Sequence, residues 1–350
     1  MAYTNIDDPS AHFNTITYTH AVTPADRVFT FDGNSNLQPD FSWIKRRDTT
    51  TGHILQDSSR GVTKYFGPHT DGAEGTYSGY LKSFNTNGLT IGGGDSASNQ
   101  GSGGTGVIWA WKAGGGTTSS NTVGTITSTV QANTDAGFSI YTYTGTGAAG
   151  TVGHGLGGLP DMIILKGRNT TSSWPVYMDP QRDGSLQFPR LNGTEGNIGN
   201  SPFTWDTTKF TFSSGSSYSN TSGTNYIAYA FRSIQGYSKF GSYTGNGNAN
   251  GAFIYTGFKP AWIMLKPTSA ADNWIIVDNK RDDSNPAEKR LFADTQGAEG
   301  TGYAVCDMLS NGFKMRATST SWNGSSRTYI YMAFAENPFV TSTGVPTTAR

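Results

Sequence analysis

A seven-residue pattern that returns twice constrains this chain more than any other feature. Pro39-Asp40-Phe41-Ser42-Trp43-Ile44-Lys45 matches Pro160-Asp161-Met162-Ile163-Ile164-Leu165-Lys166 and Pro260-Ala261-Trp262-Ile263-Met264-Leu265-Lys266, with Lys at the seventh place each time. An Asp three residues ahead of an Arg follows as Asp57 and Arg60, Asp179 and Arg182, Asp278 and Arg281. Then comes a Gly-x-Glu ending at Glu74, Glu195 and Glu299, with an apolar residue beyond it at Leu89, Phe210 and Phe313. Each stretch closes on an apolar-Ala-aromatic triplet: Trp109-Ala110-Trp111, Tyr229-Ala230-Phe231 and Met332-Ala333-Phe334. Anchors in a fixed order mark one folding unit encoded repeatedly.

The openings Tyr143-Thr144-Gly145 and Tyr243-Thr244-Gly245, with a weaker echo at Tyr18-Thr19-His20, bound the units. This predicts an N-terminal arm at 1–14, units at 15–113, 138–236 and 237–339, a linker at 114–137 and a tail at 340–350. Residues 113–121 are rich in Gly, Ser and Thr, whereas only 233–240 separate the last two units. A looser first joint is therefore expected.

The local pattern predicts strands. Met162 to Leu165, Trp262 to Leu265 and Trp274 to Val277 are short apolar runs between turn residues, too short for helices and buried on both faces if they are strands. Phe210-Thr211-Phe212 alternates and should keep one face in water. The 46 glycines and a charged fraction of only 14% fit a chain that turns often. The expected fold is all-β: three tandem antiparallel β-sandwich units of about 100 residues, jelly-roll or lectin-like, each pairing its first and last strands. One helical turn is expected at Asn285, where Pro286 would take the first position.

Several chemistries find little footing. Lys plus Arg and Asp plus Glu are 25 each, so no net field favours nucleic acid or an anionic membrane, and no apolar run is long enough to cross a bilayer. The single cysteine, Cys306, reads as a small core residue. Gly-x-Gly-x-x-Gly occurs from Gly101, Gly145 and Gly153, but none opens a helix that would receive a pyrophosphate, so no cofactor is expected. His20 and His53 have no metal-ligand spacing, and Asp282-Asp283-Ser284-Asn285 lacks a regular calcium-loop pattern, so no metal is expected.

Asp57, Asp179, Asp278, Glu74, Glu195 and Glu299 are the carboxylates that sugar hydrolysis would draw on. Their repetition favours structure instead: each Asp capping the turn after a strand, with its Arg lying against it. Aromatic side chains would grip a sugar face if exposed. Trp43 and Trp274 sit inside apolar runs, while Trp205 and Trp322 lie in polar surroundings and are the candidate ligand-binding residues.

The run Pro39 to Arg47, followed by the Asp57 and Arg60 turn, Ala73-Glu74, Gly241-Ser242-Tyr243-Thr244-Gly245-Asn246-Gly247 and Tyr329-Ile330-Tyr331-Met332-Ala333-Phe334-Ala335, resembles a repeat family of tailed phages, notably marine phages and cyanophages. The second unit departs from the pattern, with Thr194 before its Glu and Trp205 to Lys209 in place of Asn-Gly. The resemblance implies a non-enzymatic structural protein on the virion exterior, made in the host cytoplasm. It would be a tail-fibre or receptor-binding component facing host glycan, with other virion proteins as partners and homotrimeric assembly. The alternatives are a capsid decoration or head-fibre protein, with 1–14 as its shell-binding arm, and a tailspike-like glycan depolymerase. Three units in one chain are also compatible with a pseudo-threefold disc.

Overall fold

The closing triplets alternate large and small residues because each closing strand is buried on two different faces. A computed structural model describes residues 2–99, 101, 103–180, 184, 186–199, 203–212 and 218–347. Strand Asn225–Phe231 sends Ile227, Tyr229 and Phe231 into a central hub, and Tyr226, Ala228 and Ala230 into a separate core. Strand Thr328–Pro338 does the same, with Ile330, Met332 and Phe334 on the hub side and Tyr329, Tyr331 and Ala333 on the other. In strand Thr105–Trp111, Val107, Trp109 and Trp111 face the hub.

The fold is all-β, and its only helical element among the described residues is one 3-10 turn, Pro9–Ala11. Opening and closing strands pair antiparallel in each stretch: Phe13–Thr19 with Thr105–Trp111, Phe138–Thr144 with Asn225–Phe231, and Ser238–Thr244 with Thr328–Pro338. The seven-residue pattern supplies the next strand in each sheet, Phe41–Arg46, Met162–Gly167 and Phe258–Pro267. A three-stranded sheet covers the outer face of each: Arg27–Phe29 with Gly88–Ile91 and Leu81–Asn85; Gly150–Gly153 with Lys209–Phe212 and Phe203–Trp205; Phe253–Tyr255 with Gly312–Met315 and Cys306–Leu309. The result is β-sandwich packing, sheet on sheet, with a core inside each pair. Lys209–Phe212 alternates as expected, and Cys306 is buried in the third core.

The large sheets meet around the hub. Phe41 lies 4.5 Å from Tyr229, Trp111 lies 5.5 Å from Trp262, and Phe231 lies 6.1 Å from Phe334, centroid to centroid. Backbone bonds repeat at each joint. Ser172 N donates to Asp71 O at 2.9 Å and Glu74 N to Arg168 O at 2.8 Å; Asp272 N donates to Thr194 O at 2.7 Å and Asn197 N to Thr268 O at 2.8 Å. The last joint returns to the start: Thr51 N donates to Gln296 O at 2.9 Å and Glu299 N to Arg47 O at 2.7 Å. That return closes a ring and excludes a straight row.

Several sequence expectations change. Ser119–Asn121 and Ser128–Asn133, within the expected linker, are strands that extend the second large sheet. Gln131 Nε2 also donates to Ser58 Oγ at 2.8 Å and Ser59 Oγ at 2.6 Å, so the first joint is not loose. The turn between Ser128–Asn133 and Phe138–Thr144 needs Gly137, whose φ is 66° and whose Cβ would fall 2.6 Å from Arg232 O. The arm expected at 1–14 is tied down over its described residues: Tyr3 donates to Gly257 O, Thr4 to Gln235 O, Ile6 is buried in the hub, and Ser342 N donates to Asp7. The helical turn expected at Asn285 is absent. Ala287 instead bridges Cys306, and Asp282 Oδ2 accepts the amides of Glu288 and Lys289, so these groups have partners without a helix.

Trp262 touches Phe13, Trp109, Trp111 and Phe334 and so joins the first and third units. Trp262→Ala should cost about 3–5 kcal/mol. Scanning calorimetry should show one cooperative transition in the wild type and a lowered, still single, transition in the variant. Independent melting of one unit would contradict hub-coupled folding.

Candidate functional site

Four of the six recurring carboxylates, Asp57, Glu74, Asp278 and Glu299, come together at the joints as pairs with arginine. Asp57 ends a strand with its side chain fully buried, accepts Arg60 N at 2.9 Å, and holds Arg60 Nε at 2.5 Å. Its Oδ2 also accepts the Tyr229 hydroxyl of the second unit at 2.7 Å. Asp278 repeats the arrangement with Arg281 N and Nε, and accepts Trp109 Nε1 of the first unit at 2.9 Å. The turn-capping role expected from sequence is met at both. Asp179 differs: its neighbour Met178 occupies the register place of Asp57 and Asp278, and Asp179 Oδ2 accepts Gly184 N in an exposed turn. Arg182 lies outside the described residues.

The glutamates extend these pairs across the joints. Glu74 takes Arg60 of its own unit at 3.2 Å and Arg168 of the second at 2.9 Å; Glu299 takes Arg281 at 3.0 Å and Arg47 of the first unit at 2.7 Å. Glu195 pairs only with its own unit's Arg190 among the ion pairs described, and Thr268 stands where Arg47 and Arg168 stand. Burial pushes the Glu74 carboxyl up, but Arg168 and Arg60 together bring it below its ordinary range. A general acid for glycoside cleavage needs the opposite shift. Such a shift occurs at Asp294, which sequence reasoning passed over: burial raises it to about 6, and Oδ1 accepts Trp274 N while Oδ2 has no partner.

The seventh residue of the opening pattern has a role that its recurrence alone did not disclose. Lys45 Nζ donates to Thr51 O and Gln296 O, Lys166 Nζ to Ser172 O and Asp71 O, and Lys266 Nζ to Asp272 O and Thr194 O. Each therefore clamps its own loop to the neighbouring unit. Burial draws all three ammonium groups down to about 8.

The aromatic candidates sort differently from expectation. Trp322 is only 4% exposed, inside the third core. Its polar surroundings mark a buried turn: Asn323 Nδ2 binds Asn246, Asn248 and Ala317, and the Tyr243 hydroxyl donates to Trp322 O. That corrects its reading as a surface ligand residue. Trp205 is half-buried, donates Nε1 to Pro160 O at 2.8 Å and stacks on Phe210. The most exposed rings among the described residues belong to the third unit, Phe253 at 48%, Tyr255 at 54% and Tyr303 at 62%, with Tyr77 of the first unit at 37%. Phe253 and Tyr255 flank inward-facing Ile254 on an edge strand. Tyr255 and Tyr3, hydroxyls 3.0 Å apart, also border a cleft of about 610 Å³ between the second and third units, with Phe240, Tyr331, Lys239 and Asp161 in its walls.

Two tests follow from these groups. Arg281→Met leaves Asp278 buried without its cation and should cost about 3–5 kcal/mol in urea unfolding. Burial first of all depresses His12, His53, His69 and His154, His69 to about 4. Unfolded imidazoles titrate near 6.5, so the unfolded state binds more protons below that pH. Stability should be fully present above pH 6.5 and fall as pH drops toward 4, with Asp294 offsetting part of the loss. Thermal melts from pH 7.5 to 4.5 check this, and His69→Phe should make the decline shallower.

No curated protein and no solved structure matches the chain. A family model described as a domain of unknown function, DUF7483, matches residues 8–338. With nearly its whole length covered, the chain belongs to the DUF7483 family.

Proposed function

We propose that this chain is a non-enzymatic building block on the exterior of a tailed-phage particle, a tail-fibre or receptor-binding component that meets the host surface. The observation that carries this reading is the pair of exposed rings Phe253 and Tyr255 on one edge strand, with Tyr255 bordering the tyrosine-lined cleft. Aromatic rings with polar edges contribute large contact energies with little entropy loss, which suits protein or glycan recognition. Three matching units in a closed ring would supply within one chain the threefold pseudo-symmetry that trimeric fibres obtain by association.

The same closed ring favours a second reading, capsid decoration or a head fibre, because a pseudo-threefold body matches a threefold position on a shell. Against its arm-mediated version stands the N-terminal segment, in which Thr4 is bonded to Gln235 of the second unit and Tyr3 to Gly257 of the third. The depolymerase reading is weakened by the arginines that hold Asp57, Asp278, Glu74 and Glu299.

Antibody labelling of intact particles, viewed by electron microscopy, should place the chain on the tail; head labelling would favour decoration, and no labelling would defeat both. Phe253→Ser with Tyr255→Ser should lower binding of purified protein to host cells at least about tenfold without changing the melting temperature. Incubation with host polysaccharide should release no reducing ends.

A further inference from the structure

The ring-closing joint is filled differently from the other two. Strand register places His53, Trp174 and Trp274 at corresponding sites, each on the strand that follows the seven-residue pattern or just before it. Trp174 and Trp274 are fully buried, and their indole N–H groups reach the neighbouring unit at Thr70 O, 3.1 Å, and Arg190 O, 2.7 Å. His53 makes the same reach with a smaller ring: Nε2 lies 2.9 Å from Phe292 O, while Nδ1 accepts Trp43 Nε1 at 2.8 Å. An accepting Nδ1 puts the proton on Nε2, so His53 is a neutral donor. A second position changes with it. Asn192 and Asp294 accept the amides of Trp174 and Trp274, whereas His69 stands before Glu74 at the spacing that separates Asp294 from Glu299.

Beside the smaller His53 ring lies a cavity of about 260 Å³, walled by His53, His69, Tyr65, Tyr80 and Thr70 of the first unit and Gln296 of the third. Tyr80 stands edge-on to both Tyr65, at 4.9 Å, and Tyr77, at 4.7 Å. His69 is held between Gly52 and Gly67, where a Cβ would come within 2.6 and 2.7 Å of its ring. Its Nδ1 is buried and has no hydrogen-bond partner. Among the described residues no Asp, Glu, Lys or Arg lines the cavity, and the cation that acts on both imidazoles, Lys45, has its protons on the Thr51 and Gln296 carbonyls.

We propose that this cavity binds a single uncharged sugar ring, its apolar face against Tyr65 and Tyr80 and one hydroxyl bonded to the edge of the His69 ring that lines it. Aromatic walls accept the C–H face of a pyranose, and an imidazole lining the cavity gives a sugar hydroxyl a hydrogen-bonding partner. A charged ligand would lose its hydration with no counter-charge in the walls. At neutral pH His69 itself carries no charge, burial and then Lys45 having pushed it down to about 4. The site stands on the cavity alone and does not depend on the virion reading.

The test uses the purified full chain, with D-glucose, D-galactose, D-mannose and N-acetyl-D-glucosamine as probes, by saturation-transfer NMR and titration calorimetry. At least one should bind saturably. His53→Trp, which installs the indole used at the other joints, and His69→Phe should each weaken binding at least about tenfold. Val345→Ser, at an exposed position outside the cavity walls, should leave it unchanged. If His53→Trp fails to fold, His69→Phe and Tyr80→Ser carry the comparison. Absence of saturable binding to the wild type, or binding retained in the cavity variants, overturns the proposal. Loss of host-cell binding with sugar binding intact would separate this site from the exposed aromatic surface.

Discussion

The hub is the constraint on which the rest depends. Each inner strand of the large sheets has to satisfy two apolar surroundings, a sandwich interior on one side and the hub on the other. Alternation resolves this by size: Ala110, Ala230 and Ala333 face away from the hub, and Trp109, Trp111, Tyr229, Phe231 and Phe334 fill it. A unit separated from its neighbours would expose those aromatic rings as one patch, a far larger apolar surface than isolated soluble domains tolerate. Sandwich cores make each unit locally complete; the hub makes none of them independent.

Buried charge then decides how the units meet. Ion pairs removed from water gain little net stability, because desolvation opposes their attraction, but a misplaced partner is costly. The Arg–Glu contacts across the joints therefore act on register more than on total stability. Their distribution follows chain connectivity. Arg47 with Glu299 spans the joint where no peptide links the units, and Arg168 with Glu74 spans the joint with the long connection. At the joint with the short connection, 233–240, Thr268 replaces the arginine, and backbone bonds act with Lys266 and Trp274 without an ion pair described across it. Covalent connection and ionic pairing are alternative ways of limiting the arrangements open to a joint.

Much of this was legible in sequence, for identifiable reasons. The apolar runs at Met162 and Trp262 forecast doubly buried strands because no polar residue interrupts them until the lysine. The Asp57 and Asp278 turns were legible because a carboxylate three residues before an arginine has a local partner at hand. What failed was reading exposure from neighbours. Trp322 is flanked by Ser and Asn, yet Asn323 is itself buried and bonded inside the turn. The 114–137 stretch reads as linker by composition, but its Ser and Thr residues complete a sheet edge, where backbone pairing matters more than side-chain apolarity. The lysine clamps were visible as a pattern and opaque as a role, because their acceptors are carbonyls of a neighbouring unit that no local reading supplies.

Recurrence within a chain separates two kinds of residue. A group present at every joint is needed by the frame, and changing it changes all that the frame supports. A group that departs from the frame, at a place where its counterparts show that the frame works without it, is free to serve something else. His53 and His69 stand against tryptophan and against Asn or Asp at the matching places. Phe253 and Tyr255 stand where Gly150–Gly153 carries Thr151 and Gly153 and the first unit carries Val28 and Thr30, flanking the equivalent inward residues Val152 and Phe29. Two exposed aromatic rings on an edge strand add a liability to association that threonine and glycine avoid. Both departures cost the ring packing or solubility that its other units retain, and they lie at different places on it, one in the ring-closing joint and one on the outer sheet. The structure of this protein is thus carried by what its units share, and its capacity to recognise other molecules by the few positions at which they differ.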